Sequence, residues 1–121
     1  MPTVLVVDDD PVILKLLEVN FEMEGFTVIT AKDGQDGIDT ARAETPDLVV
    51  SDIMMPRKSG LELVSELKGD PATKDIPIIL LSAKAQTNDE RAGMDAGADD
   101  YVTKPFEPLD LVDRVNRLLE A

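Results

Sequence analysis

Residues 3–11 read Thr3-Val4-Leu5-Val6-Val7-Asp8-Asp9-Asp10-Pro11. The first five form a continuous apolar, β-branched run, the pattern of a strand buried on both faces. Three carboxylates follow at once, and Asp10-Pro11 reads as an N-cap followed by the first residue of a helix. Ile13, Leu16, Leu17 and Phe21 then recur at helical spacing until Gly25 closes the helix.

The strand-then-helix order repeats along the chain. Thr27-Val28-Ile29-Thr30 is a second strand, and Gly37, Ile38 and Ala41 mark one face of a helix that ends before Pro46. Asp47-Leu48-Val49-Val50-Ser51 is a third strand, followed by Leu61, Val64 and Leu67 on the helix after Gly60. Ile76-Pro77-Ile78-Ile79-Leu80-Leu81 is the fourth and most apolar strand. Asn88 to Ala96 reads as a helix whose only large apolar residue is Met94, so it is expected to be the least firmly packed. Asp100-Tyr101-Val102-Thr103 is a short fifth strand, and Leu111, Val112, Val115, Leu118 and Leu119 give the last helix its buried face. Five strands alternating with five helices imply an α/β fold: a parallel sheet, right-handed crossovers and helices on both faces. In such sheets the site lies beyond the carboxyl ends of the strands.

Composition narrows the chemistry. The 121 residues hold 12 Lys plus Arg against 25 Asp plus Glu, a formal net charge of −13. This length suits one domain, at ~100–200 residues each, and no interior linker or repeat divides it. With no Cys there is no disulfide framework, thiol nucleophile or zinc ribbon, and with no His there is no Ser-His-Asp triad or imidazole base. The acidic balance argues against a nucleic-acid or anionic-membrane surface in this domain. Met1-Pro2-Thr3 leads straight into the first apolar run, with no basic n-region and no stretch of ~18 apolar residues. Neither a signal peptide nor a membrane span is expected, and a cytoplasmic location is the default. The side chains left for chemistry favour hard, oxygen-ligated cations such as Mg²⁺, and carboxylates acting as ligand or nucleophile.

Four strand ends carry such groups. Asp8, Asp9 and Asp10 follow the first strand, Asp52 the third and Ser82 the fourth, and Lys104 comes after Thr103 at the fifth. Singly, each has an ordinary structural use, Asp10 as a cap and Ser82 as a cap for the next helix. Together they bring carboxylates, a hydroxyl and an ammonium to one rim. Lys104 cannot balance Asp8, Asp9 and Asp52 alone, and clustered carboxylates are costly unless protonated or neutralised. A divalent cation completes the balance, and an acidic cup with one lysine and one hydroxyl suits phosphoryl transfer.

Four motifs, each at a strand end, now fall into order. Val6-Val7-Asp8-Asp9-Asp10-Pro11, Asp52-Ile53-Met54-Met55-Pro56 with Gly60, Leu81-Ser82-Ala83-Lys84, and Gly97-Ala98-Asp99-Asp100-Tyr101-Val102-Thr103-Lys104-Pro105-Phe106 resemble the signatures of the receiver domain of bacterial two-component response regulators. The resemblance covers essentially residues 1–121 as a single domain. It implies a doubly wound, flavodoxin-like (βα)5 fold with strand order 2-1-3-4-5.

The resemblance also implies roles. Asp52 would be the phosphoacceptor, with Ser82 and Lys104 holding phosphoryl oxygens. Asp9, Asp52 and the backbone carbonyl of Met54 would ligate Mg²⁺ directly (Mn²⁺ as a possible substitute), and Asp8 would act mainly through water. Tyr101 would be an aromatic switch coupled to Ser82, and the Lys104-Pro105 peptide would be cis. The implied function is a phosphorylation-controlled switch charged by a histidine kinase or phosphotransfer protein. Its surface of fourth helix, fifth strand and fifth helix would control an effector. Such a domain promotes its own phosphorylation and dephosphorylation without being a conventional enzyme. Because these 121 residues hold no His, the donor histidine must come from elsewhere. Asp100 and Arg114 suit one charge pair of a family-type dimer, but Glu90 and Asp110 are both acidic and Asn116 is uncharged. A monomer or weak phosphorylation-dependent dimer is the expectation. Ser82 stands where Thr is commoner, keeping the hydroxyl. Arg57-Lys58 is more basic than the glycine-containing stretch often found there, so these cations would either act on kinase docking or phosphate lifetime or be solvated loop charges.

Alternatives are a phosphate-independent pseudo-receiver interaction domain, and an enzyme or flavin binder on a related sheet. A haloacid-dehalogenase-type phosphatase would want Asp two residues after the nucleophile, where Met54 stands. A flavodoxin would want a hydroxyl- or glycine-rich loop where Asp8, Asp9 and Asp10 stand.

Overall fold

The computed structural model describes the backbone at residues 2–82 and 87–120, and side chains at 2–82 and 91–120. Ala83 and Lys84 of the third motif, and the side chains of Asn88 and Glu90, lie outside the described residues.

The first strand, β1 (Thr3–Val7), is buried from Val4 onward, and its alternation divides the core in two. Val4 and Val6 pack with Leu17 and Phe21 of α1 (Pro11–Met23) and with Leu111, Val112 and Val115 of α5 (Pro108–Glu120). Leu5 and Val7 face the other way. They join Ile38 and Ala41 of α2 (Gly34–Glu44) and Leu63, Val64 and Leu67 of α3 (Gly60–Lys68). A strand apolar at every position is the signature of a sheet covered on both faces. The remaining strands are β2 (Thr27–Ala31), β3 (Leu48–Asp52), β4 (Ile78–Ser82) and β5 (Asp100–Thr103). All neighbouring pairs are parallel, in the order β2-β1-β3-β4-β5. The flavodoxin-like fold and strand order expected from the resemblance are both present.

Several boundaries move for identifiable reasons. The third strand begins at Leu48, because the Asp47 carboxylate accepts the Thr3 N–H at 2.7 Å and anchors the entry to β1. It runs on through Asp52, which makes the carboxylate part of the strand end. The fourth strand begins at Ile78, since Pro77 has no N–H for the ladder and the Ile78 N–H is taken by Asp99 Oδ2 at 2.8 Å. The second helix starts earlier than its apolar face suggests. Asp33 caps it by accepting the Asp36 N–H at 2.8 Å. Asp10 caps α1 as expected, accepting the Val12 N–H at 2.9 Å.

The helix expected to pack least firmly, α4 (Thr87–Ala96), presents little even of Met94, which is 46% exposed. Among the described side-chain positions of α4 the buried one is Gly93, where an added Cβ would stand 2.8 Å from Leu80 Cδ1. Among the described residues no helix is long and apolar enough to cross a membrane.

Candidate metal centre at the strand ends

Because β1 and β3 are neighbours with Val7 in register with Ser51, the residues that follow, Asp8 and Asp52, emerge side by side. Asp8 is fully buried and Asp52 is 6% exposed, while Asp9 lies exposed at the rim. One carboxylate oxygen from each of the three lies within 4.8 Å of the others. Asp8 Oδ1 accepts the Asp10 N–H at 2.9 Å, so the turn into α1 holds that carboxylate in place.

Lys104 enters from the far side. Its Nζ donates to Asp8 Oδ2 at 3.2 Å and stands 3.5 Å from Asp52 Oδ1. The Lys104–Pro105 peptide is cis, and the Lys104 N–H donates to the Ser82 carbonyl. Ser82 ends β4, in register with Thr103 and 5% exposed. The sheet thus gathers Asp8, Asp9, Asp52, Ser82 and Lys104 at one edge.

The electrostatics follow from burial. Loss of solvent pushes the Asp52 carboxyl up to about 6, with the Asp8 charge adding to the rise and Lys104 opposing it. Burial raises Asp8 as well, against the Asp10 N–H and Lys104. For Lys104 burial favours the neutral amine, yet the charges of Asp52 and Asp8 together hold it above the ordinary lysine value. One ammonium therefore leaves the carboxylates under-compensated. Three converging oxygen donors, one on the open side, fit a hard divalent cation.

Other expected residues lie around this cluster. Met54 is 72% exposed. Tyr101, registered against Leu80, packs on the α2/α3 core, and its buried hydroxyl has no hydrogen-bond partner among the described residues. Arg57 and Lys58 are bound elsewhere. Arg57 Nε lies 3.6 Å from Asp33 Oδ1, and the Lys58 ammonium pairs with Glu66. The sequence reading missed Asp33 and Glu66; the available signal was an Asp-Gly pair opening a helix. Arg114 grips both oxygens of Asp100 at 2.9 and 3.0 Å, and its Nε reaches Asp110 at 3.1 Å. Asp100 and Arg114, the residues suited to a dimer charge pair, thus also pair with each other within the chain.

Comparison with known proteins shows the family. A family model described as the response regulator receiver domain matches residues 4–116. The DNA-binding dual master transcriptional regulator RpaA of Synechocystis is 43% identical over 119 residues, covering 98% of this chain and 49% of that protein. The chain spans about half the length of the curated relatives it matches. A putative response regulator from Chloroflexus aurantiacus superposes with a TM-score of 0.95 at 35% identity, covering 99% of this chain and 98% of that one. The BeF3-activated DrrB receiver domain gives 0.88 at 39% identity, covering 100% and 99%. With the fold, the strand-end carboxylates and these similarities in agreement, the chain belongs to the receiver-domain family of two-component response regulators.

Proposed function

We propose that Asp52 is the phosphoacceptor of this receiver and that Asp9, Asp52 and the Met54 carbonyl hold Mg²⁺, with Asp8 acting through water. The observation that carries the reading is the carboxylate of Asp52, buried at the end of β3 beside Asp8 and Asp9 and within 3.5 Å of the Lys104 ammonium. Burial raises the Asp52 carboxyl to about 6, and a divalent cation beside it would favour the ionised form that attacks as a nucleophile.

An Asp52 oxygen attacks the phosphorus of a phosphoramidate on a partner histidine kinase or phosphotransfer protein. The P–N bond breaks, imidazole leaves, and an aspartyl-phosphate remains. Lys104 neutralises phosphoryl oxygen charge as it develops, and the Ser82 hydroxyl donates to a second oxygen. Bound Mg²⁺ supplies the positive charge that Lys104 alone does not. Water later cleaves the acyl phosphate, so the domain assists both its phosphorylation and its dephosphorylation.

The new group adds roughly −1.5 to −2 charge, going by other phospho-residues. Ser82 and Lys104 are drawn toward it, and Tyr101 and the surface of α4, β5 and α5 respond. That surface signals to an effector, as a monomer or weak dimer, in the cytoplasm. RpaA is a DNA-binding regulator, which supports a transcriptional output for the whole protein; the acidic receiver itself is not the DNA-binding part.

Incubation with a small phosphodonor and Mg²⁺ should label the wild type and leave Asp52→Asn unlabelled. Full labelling of that variant overturns the assignment. A phosphate-independent pseudo-receiver would show no Mg²⁺-dependent response to beryllofluoride.

A further inference from the structure

The loop from Ile53 to Gly60 leaves the phosphoacceptor strand, carries Met54, and is closed by the Gly60 N–H on the Ile53 carbonyl at 2.8 Å. Its far end is fixed by a capping box, in which Ser59 and Glu62 each accept the other's backbone N–H. Between these anchors the chain makes a three-residue turn. The Lys58 N–H donates to the Pro56 carbonyl at 2.8 Å, with Arg57 at its centre and φ at 68°. A residue with a Cβ is unfavourable in that conformation and persists there only if its surroundings hold it.

The Lys58 ammonium ties the turn to Glu66 of α3, and two further contacts come from the start of α2. A Cβ at Gly34 would run into the Lys58 carbonyl, so the turn lies directly on the helix N-terminus. Asp33, the cap of that helix, keeps its carboxylate almost wholly buried, and Arg57 Nε approaches Oδ1 at 3.6 Å. The same oxygen accepts the Asp36 N–H. Cap and turn are thereby joined through one atom.

We propose that Arg57 is a positioning residue for the Asp52 site: its ion pair with Asp33 holds the Pro56–Lys58 turn on α2 and so fixes the loop that offers the Met54 carbonyl. The inference rests on the reading of Asp9, Asp52 and Met54 as Mg²⁺ ligands. It gives Arg57 a role that needs no direct contact with phosphate or kinase, because its guanidinium lies against Asp33 at the start of α2.

The test is a double-mutant cycle on the full chain with Arg57→Ala, Arg57→Lys, Asp33→Asn and the Arg57→Ala/Asp33→Asn pair. Asn retains the helix cap while removing the charge. Mg²⁺ affinity by calorimetry, amide exchange at Lys58 and Gly60, and the unfolding midpoint are read for each. For a half-exposed pair, Arg57→Ala is expected to weaken Mg²⁺ binding about three- to fivefold and to speed exchange at those two amides by about the same factor. Arg57→Lys recovers part of the loss, the double variant is no worse than the worse single one, and the midpoint barely moves. Unchanged affinity and exchange in Arg57→Ala overturn the proposal, as do additive losses or a uniform rise in exchange across the chain. If the wild type binds no Mg²⁺, the metal reading of the site falls and the proposed link to it falls too; exchange at Lys58 and Gly60 then decides whether the pair holds the turn.

Discussion

Lys104 lies closer to Asp8 than to Asp52, with Nζ at 3.2 Å from the first and 3.5 Å from the second. Burial, with the Asp8 charge adding to it, pushes the Asp52 carboxyl up to about 6, and the one ammonium shared between the two carboxylates only partly offsets this. The consequences below follow from that imbalance and from the packing around it.

Asp52→Asn should stabilise the metal-free protein. The rise from 3.8 to about 6 measures what the folded state loses by keeping this carboxylate ionised. At neutral pH the gain should be on the order of 1–3 kcal/mol, read from urea unfolding with a chelator present. A destabilised Asp52→Asn would contradict the electrostatic account.

The pH dependence has a defined sign. The folded-state value lies above the unfolded one, so this group's stabilising contribution is complete below about 3.8 and is lost as pH rises through about 6. The gap in stability between Asp52→Asn and wild type should therefore widen from pH 5 to pH 7. Mg²⁺ should raise the wild-type unfolding midpoint more at pH 7 than at pH 5. Equal midpoint shifts at the two pH values would count against the metal lying on these carboxylates.

Lys104→Met should destabilise the metal-free chain by about 1–3 kcal/mol at pH 7, because it leaves two buried carboxylates facing each other. Adding Asp52→Asn should restore most of that loss. Additive effects of the two substitutions, measured as unfolding free energies, would show that the shared contact carries no energy.

Tyr101→Phe should be neutral or stabilising by up to ~1 kcal/mol, since among the described residues the buried hydroxyl it removes has no hydrogen-bond partner. Gly93→Ala should destabilise by about 1–3 kcal/mol, because its Cβ would press on Leu80 Cδ1. Thermal unfolding of both variants tests this packing of Tyr101 and α4. A clearly destabilised Tyr101→Phe would mean that the hydroxyl is hydrogen-bonded in solution.

Much of the fold was legible in local pattern. Val4 to Val7 announce a strand with two covered faces, and Asp10-Pro11 announces the helix after it. The alternation of strands and helices then leaves a parallel sheet as the economical solution. Boundaries were less legible where one residue's hydrogen bonds are made by a distant segment, as at Asp47 with Thr3 and Ile78 with Asp99. No local signal tells a strand where a remote carboxylate will claim its first N–H.

For the site, the sequence by itself determined the inventory and its ends: Asp8, Asp9, Asp52, Ser82 and Lys104, each at or just beyond a strand terminus. That follows because side-chain chemistry and strand periodicity are local properties. Tertiary structure decided how the charge is shared. The β1–β3 register sets Asp8 beside Asp52, burial and the Asp8 charge raise the Asp52 carboxyl, and Lys104, divided between the two, offsets only part of that rise. It also decided the fate of Arg57, which sequence leaves as a cation near the site and the fold binds to the cap of α2. Distance and desolvation depend on segments far apart in the chain, and only their packing makes them definite.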